Sequence, residues 1–181
     1  MKVNKLISLF SLIIFLFVGC EQQQEEQPQI RISPKAEVMQ TVGLTEVKID
    51  YGRPGVKERV IWGELVPYDK VWRAGANEAT KFTFSSNVMI EGKHLKAGSY
   101  SFFVIPGQDE WILIFNKVAD QWGAFEYNEA EDALRIKVVP IQNDFQEWLT
   151  YTITRTSDTT AEIKLEWEHI KIPFSLDVDV N

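Results

Sequence analysis

From Glu37 onward this chain alternates apolar and polar residues with a period of two almost without interruption, and that pattern restricts what it can fold into. Val47, Ile49 and Tyr51 alternate with Glu46, Lys48 and Asp50. Phe82 and Phe84 alternate with Lys81 and Thr83, Leu134, Ile136 and Val138 with Arg135 and Lys137, and Ile163, Leu165 and Trp167 with Lys164 and Glu166. Successive side chains of a strand point to opposite faces, so this spacing describes strands with one face buried and one wet. Leu149, Tyr151 and Ile153 alternate with threonines, and Ile172, Phe174, Leu176, Val178 and Val180 continue the pattern to the end. Pro173 interrupts that last run and implies an edge strand or a bulge.

Two stretches are apolar throughout. Residues 100–105 and 111–115 flank Pro106-Gly107-Gln108-Asp109, a hairpin with turn chemistry in its loop, and both strands are expected to be covered on both faces. No apolar stripe of helical period exceeds about two turns. The short helical candidates are residues 62–66 and 128–133. About nine or ten strands with turns every 8–12 residues predict an all-β fold, an antiparallel β-sandwich with at most short helices.

The first 33 residues are different. Lys2 and Lys5 precede a thirteen-residue apolar run, residues 6–18, that ends at Phe17-Val18-Gly19-Cys20, the only cysteine in the chain. The run is shorter than the ~20 apolar residues a membrane span needs and fits the core of a secretory signal. A small residue before a lone cysteine at this place resembles the lipobox of bacterial lipoproteins, although Phe17 stands where an aliphatic residue is usual. The resemblance implies a signal peptide over residues 1–19, lipidation (palmitate among the acyl groups) at Cys20, and an exported protein anchored in a membrane, with the outer membrane the expected one. Residues 20–33 are rich in Glu and Gln and contain Pro28, a composition too polar to bury a core. They are expected to form a flexible tether to a domain over residues 34–181.

Of the 19 basic and 26 acidic residues, two lysines lie in residues 1–19, so the remainder carries 17 against 26, a formal charge of −9. That excess argues against nucleic acid as a partner. A single cysteine excludes an intrachain disulfide. His94 and His169 have no second ligand at metal spacing, and no phosphate loop or nucleophile elbow is present, so neither a metal nor a cofactor is expected.

The strand pattern stops for nearly thirty residues between residues 51 and 80. A connection this long in a compact domain tends to be functional or locally structured. It holds Arg53, Lys57, Arg59, Trp62, Trp72, Arg73, Asn77 and Glu78. Arginine forks onto carboxylate or phosphate, Asn and Glu orient polar ligands, and Trp stacks on rings. The competing reading is a satisfied polar plug over one end of the sandwich. Trp111, Trp148 and Trp167 lie on strands and are expected in the core; Trp62, Trp72 and Trp122 lie off regular strands, where packing and ligand stacking compete.

The phrases Ser33-Pro34-Lys35-Ala36, Tyr51-Gly52-Arg53-Pro54, Leu65-Val66-Pro67-Tyr68 and Val71-Trp72-Arg73-Ala74-Gly75-Ala76-Asn77-Glu78-Ala79-Thr80 occur in order, followed by Ala97-Gly98-Ser99-Tyr100 and Gln121-Trp122-Gly123-Ala124. Together they resemble the DUF2911 domain proteins, over about residues 33–180. The resemblance implies no activity, since that family is defined by an unknown one, but it concentrates attention on two connections. Arg53, Trp72, Arg73, Asn77 and Glu78 form one candidate ligand-binding set; Asn116, Lys117, Gln121 and Trp122 follow the strand at residues 111–115. If both connections lie at one end of the sandwich, they would form a basic and aromatic pocket. Three functions stay open: a non-catalytic module binding a glycan, small molecule or envelope protein; an envelope hydrolase or lyase using Glu78 with Arg73; and a structural or assembly protein of the envelope.

Overall fold

The alternation resolves into ten antiparallel strands in a computed structural model that describes residues 30–178. The signal peptide, Cys20, most of the tether and Val180 lie outside the described residues. In chain order the strands are β1 (Lys35–Val42), β2 (Thr45–Gly52), β3 (Thr80–Phe84), β4 (Val88–Ile90), β5 (Lys93–Leu95), β6 (Gly98–Ile105), β7 (Trp111–Asn116), β8 (Asp132–Val138), β9 (Ile141–Arg155) and β10 (Thr160–Asp177). They build a six-stranded sheet ordered β1-β2-β3-β6-β7-β8 and a four-stranded sheet ordered β5-β4-β10-β9. The all-β sandwich expected from the sequence is the fold observed.

The inward positions of both sheets form one core. Phe82, Phe102 and Phe115 come from three adjacent strands, with ring centroids 4.7–5.3 Å apart. Tyr51 and Tyr151 meet edge to face across the two sheets at 4.8 Å, a favoured aromatic geometry. Tyr151 donates its hydroxyl to the Ala74 carbonyl, 2.9 Å away, so its polar end is satisfied inside the core.

Residues 53–79 connect β2 to β3 and bridge the two sheets. Gly55 pairs with Trp148 of β9, and Trp72 pairs with Val104 of β6. Between these anchors Val56, Ile61 and Val66 are buried. Trp62 lies 4.7 Å from Trp111 and 5.8 Å from Trp167, and Trp72 stacks on Trp167 at 5.9 Å. Trp62 and Trp72 are therefore partly buried against the core, contributed by irregular backbone.

Neither helical candidate forms an α-helix. At residues 62–66 the chain makes a tight turn closed by a Trp62–Val66 bridge, with Gly63 at φ 92°. Near residue 128 only a 3₁₀ turn forms (Glu129–Glu131), capped by the Asn128 side chain, before β8 begins. Pro173 lies in β10, where the β9 ladder has ended at Lys171 and the β4 ladder starts at Leu176, so its missing N–H interrupts neither ladder.

Candidate functional site

Strands β6 and β7 are apolar on both faces because each face has a cover. Phe102, Val104, Leu113 and Phe115 face the core, while Phe103 and Ile114 face outward into a second apolar cluster with Ala79. Ala124 and Tyr127 pack on that cluster, so the connection from β7 to β8 (residues 117–131) lies across the outer face of the six-stranded sheet.

Asn116 holds this connection in place. It is fully buried at the end of β7; its amide donates to the Asn128 carbonyl at 2.9 Å and to the Asp132 carboxylate at 2.8 Å. Its side-chain oxygen accepts from Val118 N at 3.1 Å and Gln121 Nε2 at 3.3 Å. One amide thus ties both ends of a fifteen-residue connection. The Tyr127 hydroxyl donates to Asp132 at 2.6 Å; burial and then this carboxylate push its pKa above the usual phenol value. Gln121 Nε2 also donates to Ser101 Oγ and the Val118 carbonyl, leaving its buried Oε1 without a protein partner.

The two connections that the sequence singled out meet here. Gly123 N donates to the Asn77 carbonyl at 3.0 Å and Ala79 N to the Gln121 carbonyl at 2.9 Å, so Glu78 and Trp122 face one another as a β-bridge. Two backbone features allow this approach. Asn77 adopts φ 65°, a left-handed conformation that asparagine tolerates. Gly52 packs directly under residue 76, where an added Cβ would stand 1.9 Å from the Ala76 carbonyl oxygen.

Between the start of β1, the end of β2, the start of β3 and residues 119–122 lies a cleft of about 530 Å³, within the range of small-molecule sites. Its charged lining is Lys35, Glu37, Asp50, Glu78, Lys81 and Asp120. Trp122 stands at its wall, 61 % exposed. Most of the charges are paired: Lys81 with Asp120 at 2.9 Å, Lys48 with Glu37 at 2.7 Å and Asp50 at 3.3 Å, and Lys35 with Glu78 at 3.4 Å. Hydrogen bonds from Arg31 at 2.7 and 2.8 Å hold the Glu78 carboxyl down at about 2, with Lys35 adding to the effect.

The other candidates are placed elsewhere. Arg53 turns toward β9, donating Nε to the Leu149 carbonyl at 3.0 Å and NH2 to Thr150 Oγ1 at 2.8 Å. Arg73 is half-buried outside the cleft lining, with its Nε buried and unpartnered in the protein; burial pushes its guanidinium pKa down. Trp72 belongs to the tryptophan cluster and Asn116 to the scaffold described above. Of the seven candidate positions, Glu78 and Trp122 line the cleft, and Asn77 is its neighbour, donating Nδ2 to the Ser33 carbonyl at 3.2 Å. The cleft carries four carboxylates against two lysines rather than the basic lining the sequence suggested. Arg31 was not a candidate, because its tether composition hid it; the one signal was a lone cation between Ile30 and Ile32 in a Glu- and Gln-rich stretch. Among the described residues, no group of three or more His, Cys, Asp or Glu side chains is placed to hold a metal ion.

A two-sheet β-sandwich with a second connection folded over its outer face, and a charged cleft between them, defines the class. The chain belongs to the DUF2911 family, described as proteins of unknown function, whose family model matches residues 33–176. No curated protein and no solved structure matches the chain.

Proposed function

We propose that this chain is a membrane-anchored envelope lipoprotein, held by lipid on Cys20, whose β-sandwich is a non-catalytic binding module for a polar, ring-bearing ligand such as a glycan. The observation that carries this reading is Trp122, an indole left 61 % exposed beside carboxylates and lysines in a cleft of about 530 Å³. Carbohydrates are held by that combination: an aromatic face for the C–H side of the ring and fixed polar groups for the hydroxyls. Asn116 and the paired backbones of residues 77–79 and 121–123 hold the wall in place before any ligand arrives, which reduces the cost of ordering on binding.

A hydrolase or lyase that uses Glu78 with Arg73 has less support. A carboxyl at about 2 is ionised at neutral pH and a weak base, so it serves poorly as general acid or base. A glycan array probed with the full chain and with Trp122→Ala tests the binding reading. Signals that disappear in the variant support it; an array blank for both chains overturns it. Labelling cells with an alkyne palmitate analogue tests the anchor: label on the natural chain and none on Cys20→Ser is expected.

A further inference from the structure

One carboxylate of the cleft lining, Glu78, already holds a ligand-like group, and it comes from the chain itself. Arg31 forks onto Glu78 with both terminal guanidine nitrogens, at 2.7 and 2.8 Å, the bidentate geometry that distinguishes arginine from lysine at carboxylates. Two and three residues further on, the Ser33 carbonyl accepts from Asn77 Nδ2 at 3.2 Å and the Pro34 carbonyl from Arg53 N at 2.9 Å. The segment is thus gripped by one side chain and two backbone carbonyls, in the manner of a bound peptide.

Apolar burial contributes little to its docking. Ile30 is 99 % exposed and Ile32 79 %, so the residues on either side of Arg31 leave their side chains in water. The Arg31 and Glu78 side chains are themselves 38 % and 34 % exposed, and an ion pair that open to solvent is weak. The carboxylates of the cleft, Glu37, Asp50, Glu78 and Asp120, are paired by three lysines, Lys35, Lys48 and Lys81. Arg31 supplies the fourth cation.

We propose that Glu78 forms an arginine subsite, occupied at rest by Arg31, and that the cleft's ligand is an extended peptide whose own arginine displaces it. This rests on the reading of the cleft as a ligand-binding site and takes a basic peptide, in place of a glycan, as its ligand. Displacement frees residues 30–33 from Glu78, so binding lengthens the span between the domain and whatever precedes residue 30.

Fluorescence anisotropy of a labelled pentapeptide copying residues 29–33 (QIRIS), titrated with the full chain in detergent, tests the inference. Removing a resident competitor raises apparent affinity by the inverse of the fraction of free sites, so Arg31→Ala is expected to bind about fivefold tighter than the natural chain if about a fifth of sites are free at rest. Glu78→Gln, checked for a retained cooperative melting transition, is expected to lose the binding, as is a peptide carrying neutral citrulline in place of arginine. Equal affinity of Arg31→Ala and the natural chain would overturn the inference, as would binding that survives Glu78→Gln or the citrulline replacement. Trp122-dependent glycan signals with no arginine-dependent peptide binding would remove the inference and leave the binding reading standing; silence in both assays removes both.

Discussion

The connections at residues 53–79 and 117–131 are both rich in aromatic and charged side chains, yet they end in opposite environments. The first crosses between two sheets, and its tryptophans enter the space that both sheets enclose: Trp62 and Trp72 pack on Trp111 and Trp167 within 6 Å. The second lies over the outer face of one sheet, and its inner side is buried while Trp122 is 61 % and Phe125 84 % exposed. What decides the role of an off-strand aromatic here is the number of layers around it. The last residues of the first connection leave the core and join the second, and the cleft lies along that join.

The sharpest way to break this contrast is to delete one buried side chain from each side of it. Trp167→Ala, in the buried cluster, is expected to cost about 3–5 kcal/mol of stability in urea denaturation, through lost burial and the cavity left behind. A cost below about 1 kcal/mol would mean the tryptophan cluster is not a packed core. Asn116→Ala leaves buried donors and acceptors at both ends of the second connection unpaired, and about 1–3 kcal/mol is expected. Hydrogen exchange should then rise across residues 117–131 and stay unchanged across residues 53–74.

Smaller effects sharpen the picture of the cleft. Glu78 has its folded pKa depressed to about 2, below the ~4.3 of an unfolded glutamate. Its stabilising contribution is therefore complete above the unfolded value and is lost as pH falls through about 2. Being a partly exposed pair, it is expected to supply only about 0.2–1 kcal/mol. The stability difference between the natural chain and Glu78→Gln should be flat above pH ~5 and shrink below ~4.3; a difference that grows on acidification would contradict the assignment. Trp122→Ala is the smallest, within about 0.5 kcal/mol, as for other surface substitutions.

The sequence disclosed the scaffold better than the site, for physical reasons visible at particular residues. Strand existence follows from local alternation, so β2, β3, β8 and β10 could be read directly from Val47-Lys48-Ile49 and its equivalents. The double-sided burial of Phe103 and Ile114 was also legible, since a continuous apolar run has no wet face. The fates of Trp62 and Trp72 depend on Trp111 and Trp167, more than thirty residues away, and no local pattern encodes such contacts. Glu78 was a candidate, read together with Arg73, five residues before it. Arg53 satisfies carbonyl and hydroxyl oxygens of β9, and Arg31 reaches Glu78 from a segment whose composition reads as tether. Helical expectations failed at residues 62–66 because Gly63 at φ 92° closes a turn there instead.

On the proposed function, one connection packs on the core and the other supplies the wall of the binding cleft. The six indole N–H resonances of a nitrogen-15-labelled chain test it most directly, followed during titration with the QIRIS peptide and with a glycan that the array retains. Movement of the Trp122 resonance on addition of either, with those of Trp62, Trp72, Trp111 and Trp167 unmoved, is the predicted result. A Trp122 resonance that stays fixed while the Trp62 and Trp72 resonances shift would place ligand contact at the bridging connection and contradict the account.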